Sequence, residues 1–267
     1  MKKAQTMKIS EQQKKQYQDQ GFTIIPDFLD SAELEAVRLA CNQSIEAVEN
    51  NMRAQGIKED RINVLGKKYF INNARETFPE LKRIIFNEKT AGICKATIGD
   101  NAYLHNEQFV VKMTDTATSF AWHQDSGYSV YQGGAEEHKP YVTFWIALDD
   151  MSSANGTISV LPYPRSPSRG LIKHVWKNEV NAMVGYDGED EGDLVEVKAG
   201  SLVVFSSFLL HKSGANTTTN PRRSYFVAFT PELFTHADKS KGMYSSGEPL
   251  LIEGRMAVAD ELASENR

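Results

Sequence analysis

Cysteine is nearly absent from this chain: only Cys41 and Cys94 occur in 267 residues. Two thiols cannot build a disulfide framework or a four-cysteine zinc site, so the fold must rest on a packed core, and a reducing compartment is expected. A basic excess is missing too, and the net charge of −5 argues against a nucleic-acid binder. Long apolar runs are lacking as well. The longest, Leu202 to Leu210, is broken by Ser206 and Ser207 and is too short to cross a bilayer. Lys2, Lys3, Lys14 and Lys15 flank an amino-terminal stretch with no apolar centre, which does not read as a secretory signal. The expectation is a cytoplasmic protein with neither membrane nor nucleic-acid partners. No Gly-x-Ser-x-Gly elbow and no Gly-Lys-Ser/Thr phosphate loop occurs, so serine-hydrolase and nucleotide-binding chemistry have no support.

What is present has an ordinary globular composition, 40% hydrophobic and 24% charged, with enough length for a sizeable core. Ser10 with Gln13, and Asp30 with Glu33, have the spacing of capping boxes that open helices. Leu34, Val37, Cys41 and Ile45 then recur at helical spacing. Pro79 introduces a further helix over Leu81, Ile84 and Ile85 that stops near Gly99. After Asn101 the texture becomes short β-rich runs separated by turn residues, as in a sandwich or barrel. These runs are Gln108–Met113, Tyr141–Leu148, Thr157–Leu161, Leu194–Val197, Leu202–Phe205 and Ser224–Thr230. The pattern predicts one α+β domain over residues 1–267, with a helical part about 10–100, a β core about 101–232 and an extension 233–267. The acidic run Asp187 to Asp193 lacks calcium-loop spacing and reads as a solvated loop. The polar tail after Ala257 is expected to fray.

The chemistry concentrates in Trp122-His123-Gln124-Asp125. On a strand, residues i and i+2 share a face, so His123 and Asp125 could grip one ion together. His211, delivered by the apolar run Leu202 to Phe205, would complete a 2-His-1-carboxylate set suited to non-haem Fe(II). Zinc could use the same ligands. Arg222 and Ser224 share one face of a later strand, while Arg223 faces the other way with Tyr225. A guanidinium beside a hydroxyl suits a carboxylate, and an anion next to iron suggests 2-oxoglutarate.

At this point the chain resembles the phytanoyl-CoA dioxygenase family of Fe(II)/2-oxoglutarate oxygenases. The matching stretches are Trp122 to Asp125, Thr143 to Asp150, Asn155 to Pro162, His211 to Asn216, and Arg222 with Ser224. The resemblance spans about residues 15 to 232 and implies a double-stranded β-helix, or jelly roll, with bracing amino-terminal helices. It implies that His123, Asp125 and His211 hold Fe(II) and that Arg222 binds the distal carboxylate of 2-oxoglutarate, with Ser224 beside it. Gln108 and Trp145 match positions that border the cosubstrate, and O₂ is the oxidant. Halogenating relatives replace the carboxylate of His-x-Asp with a small residue, so Asp125 implies oxygenation, with succinate and CO₂ as co-products. Tyr128, Tyr131, Asn72, Asn73 and Arg75 are candidate contacts for a small-molecule substrate, and residues 132–138 read as a mobile lid. A catalytically silent ligand-binding relative and a zinc hydrolase on a β-sandwich are the competing readings. The sequence gives no sign of oligomeric state.

Overall fold

The computed structural model describes residues 9–115 and 118–257. The tail beyond Ala257, expected to fray, lies outside these residues. Helix α1 (Glu11–Gln20) opens with the expected capping box: the Gln13 N–H donates to Ser10 Oγ at 3.2 Å, and Ser10 N–H donates to Gln13 Oε1 at 2.9 Å. Strand β1 (Phe22–Ile25) follows, then α2 (Ser31–Gln55), capped in the same way by Asp30 and Glu33. The helix expected after Pro79 is two helices, α3 (Glu80–Ile85) and α4 (Glu88–Thr97). Asn87 divides them, because its side chain accepts the Thr90 N–H and starts a second helix.

A second departure lies between α2 and α3. This stretch, within the part expected to be helical, forms strands β2 (Glu59–Asp60), β3 (Asn63–Val64) and β4 (Lys68–Asn72). β4 is extended because it pairs with β5 (Ala102–Lys112), a long-range partner that local periodicity does not reveal. Next come β6 (Phe120–His123), α5 (Asp125–Tyr131), β7 (Val142–Ala147) and β8 (Ile158–Leu161). They are followed by β9 (Val175–Lys177), β10 (Ala182–Val184), β11 (Asp193–Leu194), β12 (Leu202–Ser206), β13 (Leu210–Ser213) and β14 (Arg222–Thr230). β15 (Pro249–Ile252) and β16 (Arg255–Met256) complete the described chain.

Two antiparallel sheets form the jelly roll. The larger runs β1-β12-β7-β14-β5-β4-β3-β2, with β15 added to β5, and the smaller runs β11-β8-β13-β6. Residues of the large sheet alternate between two destinations. Phe109, Val111, Phe144, Ile146, Tyr225 and Val227 pack outward against Val37, Leu81, Ile84 and Ile93 of the helices. Trp145, Ala147, Val203 and Phe205 face inward and meet Ile158, Val160 and Leu209 from the small-sheet side. The inward face carries the chemistry described below.

Candidate active site

The two histidines come from neighbouring strands of the small sheet. His123 ends β6 and His211 lies in β13, and in the antiparallel register they are direct partners. Their ring centroids stand 4.2 Å apart. The expected strand face shared by His123 and Asp125 is not what brings the carboxylate in. The chain leaves the strand after His123, Gln124 caps a helix, and Asp125 is the first residue of α5. A strand-to-helix turn therefore aims the carboxylate where strand alternation was expected to. One ligand atom from each of His123, Asp125 and His211 lies within 4.8 Å of the others.

Main-chain carbonyls fix both imidazoles. Nδ1 of His123 contacts the Ala121 carbonyl at 2.8 Å, and Nδ1 of His211 contacts the Leu209 carbonyl at 3.1 Å. In that arrangement Nδ1 carries the proton and Nε2 keeps a free lone pair, as a metal ligand needs. Burial, with the neighbouring His211, pushes His123 down to about 3, and burial pushes His211 down to about 4. Neutral imidazoles are the donors that metals bind. Thr143 Oγ1 donates to Asp125 Oδ2 at 2.6 Å, while Oδ1 faces His211 Nε2 at 3.5 Å. Burial raises the Asp125 carboxyl, opposed by His123 and by the Thr143 bond.

Arg222 and Ser224 share the inward face of β14, and Nη1 of Arg222 donates to Ser224 Oγ at 3.2 Å. Nη2 donates to the Gly156 carbonyl at 2.9 Å, and Nε has no partner among the described residues. Gly156 is required there: its φ is 71°, and a Cβ would collide with the Gly214 and Ala215 backbone. Arg222 is only 1% exposed, yet no carboxylate pairs with it among the described residues. Burial lowers it to about 10, and its guanidinium lies 5.7 Å from the Trp145 ring. Arg223 points outward to Asp149 at 2.6 Å.

Sequence reasoning missed Lys112, the register partner of Arg222 across β5 and β14. Its parity with Gln108 on one strand was the available signal. Lys112 is fully buried, and its Nζ donates to Ser213 Oγ at 2.8 Å and to the Gly214 carbonyl at 2.5 Å. Lys68 follows in the same row, so three basic side chains lie across β4, β5 and β14. Like charges side by side weaken a sheet unless an anion joins them. Burial, then Arg222 and Lys68, lowers Lys112 to about 6. The unfolded lysine titrates near about 10.4. Between these values the unfolded chain holds a proton that the folded chain has released, so stability rises with pH from about 6 to about 10. Calorimetry of the metal-free protein should show the thermal midpoint climbing over that window, with part of the climb lost in Lys112→Met. Equal slopes in both proteins would assign the effect elsewhere.

The remaining candidates separate. Trp145 is 4% exposed and packs in the inter-sheet core, on the inward face with Thr143. Gln108 is its neighbour one strand beyond Phe226, partly buried, with no hydrogen bond to its side chain among the described residues. Tyr128 stands edge-on to His123, ring centroids 5.1 Å apart, and its hydroxyl reaches the Met183 backbone. Tyr131 is exposed and stacks on Trp176 at 5.9 Å. Asn73 and Arg75 are not brought to the triad. Arg75 bonds Glu107 on the outward face of β5 and Ser246 at 3.1 Å, while Asn73 accepts from Arg75 at 3.1 Å. Asn72 is exposed at the end of β4, level with Gln108. The segment expected to be a mobile lid is tied down: Ala135 N–H donates to Thr235 O at 3.0 Å, and Ala237 N–H to Gly133 O at 2.9 Å. The acidic run meets bases, with Arg165 on Asp190 and Asp193 and Lys177 on Asp187.

The family model described as Phytanoyl-CoA dioxygenase matches residues 17–224. The chain belongs to the phytanoyl-CoA dioxygenase family. A similar curated relative is the ectoine dioxygenase of Streptomyces coelicolor (strain ATCC BAA-471 / A3(2) / M145), 26% identical over 77% of this chain and 71% of the relative. Another is the probable alpha-ketoglutarate-dependent hypophosphite dioxygenase of Stutzerimonas stutzeri, 24% identical over 92% and 87%. Among solved structures, EctD from S. alaskensis with 2-oxoglutarate and 5-hydroxyectoine superposes with a TM-score of 0.68 at 18% identity, covering 92% of this chain and 87% of that one. That likeness establishes the jelly-roll fold. As a member of the phytanoyl-CoA dioxygenase family, the chain is a dioxygenase dependent on Fe(II) and 2-oxoglutarate. Among the described residues no helix is long and apolar enough to cross a membrane.

Proposed function

We propose that this protein hydroxylates an unactivated C–H bond of a small polar metabolite, consuming 2-oxoglutarate and O₂ and releasing succinate and CO₂. The His123–Asp125–His211 cluster carries the reading together with a buried arginine that has no carboxylate partner among the described residues and whose register partner Lys112 bonds Ser213 on the strand of His211. Two neutral imidazoles and one carboxylate are the donor set of Fe(II) oxygenases, so the residues present fit that ion. His123, Asp125 and His211 would hold it. When bound together, iron and 2-oxoglutarate supply oxygen activation coupled to loss of CO₂.

The chain's own residues orient and enclose. The Ala121 and Leu209 carbonyls hold each imidazole in one tautomer, and Thr143 holds the carboxylate. Arg222 and Ser224 would receive the distal carboxylate, with the Lys112 amine one strand away. Trp145 and Gln108 would border the cosubstrate between those two ends, and Tyr128, beside His123, would contact the substrate. The relatives' names, ectoine and hypophosphite dioxygenase, denote small polar substrates and favour that class. The helical part and the β core act as one catalytic domain, and two buried free cysteines suit a reducing cytoplasm.

Anaerobic addition of Fe(II) and 2-oxoglutarate should give a weak visible charge-transfer band. Its absence would sink the assignment. Substrate-stimulated succinate release, screened over small polar metabolites, then identifies the substrate.

A further inference from the structure

A fourth histidine lies close to the triad without belonging to it. His174 immediately precedes β9, and its Nε2 accepts the Gln124 N–H at 2.8 Å. Gln124 is the residue between His123 and Asp125. Nδ1 of His174 contacts the Ile172 carbonyl at 2.7 Å, so both ring nitrogens are already engaged and His174 is not a further ligand. Its imidazole fills a slot that two glycines leave open. A methyl group at Gly127, in the first turn of α5, would overlap the ring, and one at Gly185 would lie 2.6 Å from Nε2.

The same junction is held from its side chain. Gln124 is fully buried, its Nε2 donates to the carbonyls of Gly170 (2.9 Å) and Phe208 (2.6 Å), and its Oε1 accepts the Ile172 N–H at 2.8 Å. Phe208 is next to Leu209, whose carbonyl fixes His211. Gly185 N–H donates to the Trp122 carbonyl at 2.8 Å. Both feet of the β9–β10 hairpin are thereby fastened beside His123.

We propose that His174 is a positioning residue for the metal ligands: it fixes the main chain between His123 and Asp125 and links the triad to the β9–β10 hairpin. The inference rests on the reading that the triad binds a metal. Gln124 caps α5, so its own N–H belongs to no strand ladder or helix and would be buried unmatched without His174. Losing it lets the strand-to-helix turn shift, and Asp125 moves relative to the two histidines.

The test uses Co(II) as probe, read by its visible absorption and by its dissociation constant, with far-ultraviolet circular dichroism as a check on folding. His174→Leu keeps the bulk and removes the acceptor. Partners that orient metal ligands typically control affinity by about 10–100-fold, and a loss of that size is expected. His174→Gln places an oxygen near the position of Nε2 and should restore affinity to within about threefold. Wild-type affinity in His174→Leu would overturn the proposal, as would a loss in His174→Gln equal to that in His174→Leu. Should His174→Leu fail to fold, Gly185→Ala displaces the ring while retaining the histidine, and unchanged Co(II) binding there would overturn it as well. A wild-type protein that takes up no Co(II) removes the metal reading and the positioning role together. Tight wild-type binding with an unaffected His174→Leu removes the positioning role alone.

Discussion

Asp125→Ala is expected to lower 2-oxoglutarate turnover by more than about a hundredfold, because loss of a group that merely orients a metal ligand already costs about 10–100-fold. Asp125 is the only anion among the three donors, so the variant leaves two neutral imidazoles and a Thr143 hydroxyl without its acceptor. Folding should survive, since Gln124 still caps α5 and its side chain stays bonded to Gly170 and Phe208. Succinate release measured against Co(II) uptake separates loss of metal from loss of chemistry. Activity within tenfold of wild type would mean that the carboxylate is not a ligand.

Arg222→Ala is expected to raise the 2-oxoglutarate concentration needed for half-maximal rate by about 30-fold or more. Removing one partner of a buried charge-assisted pair costs about 2–5 kcal/mol, and each 1.4 kcal/mol is a factor of about ten. The orphaned Nε of Arg222 and the absence of any carboxylate paired with it among the described residues point to an anion that arrives from outside. Arg223→Ala is the control. Its guanidinium is turned to Asp149 and Asn42, so the cosubstrate requirement should stay within about twofold. The reverse pattern would invert the assignment of strand faces.

Much of this was readable in the chain, and the residues show why. Local hydrogen bonding set the helix starts at Ser10 and Asp30, and both capping boxes formed where their spacing put them. Strand alternation separated Arg222 from Arg223, because two residues suffice to define opposite faces. The same rule failed between His123 and Asp125, where the strand ends within the motif and a helix begins. Strand β4 was missed because its pairing with β5 is a long-range choice that no local period encodes, and β2 and β3, two residues each and stacked onto β4, are too short to show a period. Arg75 looked like a pocket residue since a sequence cannot show that Glu107 would claim it on the outer face. Lys112 and His174 were overlooked because each acts through backbone groups that arrive from elsewhere in the fold.

The direct register of His123 against His211 has one further consequence. Backbone hydrogen bonds of β6 and β13 set the two nitrogen donors face to face, so every ion that enters meets the same imidazole pair. Two nitrogens and one oxygen favour the later first-row divalent metals over ferrous iron by intrinsic affinity. A donor set with that order of affinity is open to mismetallation, so the ion recovered with the protein will depend on the metals supplied to it.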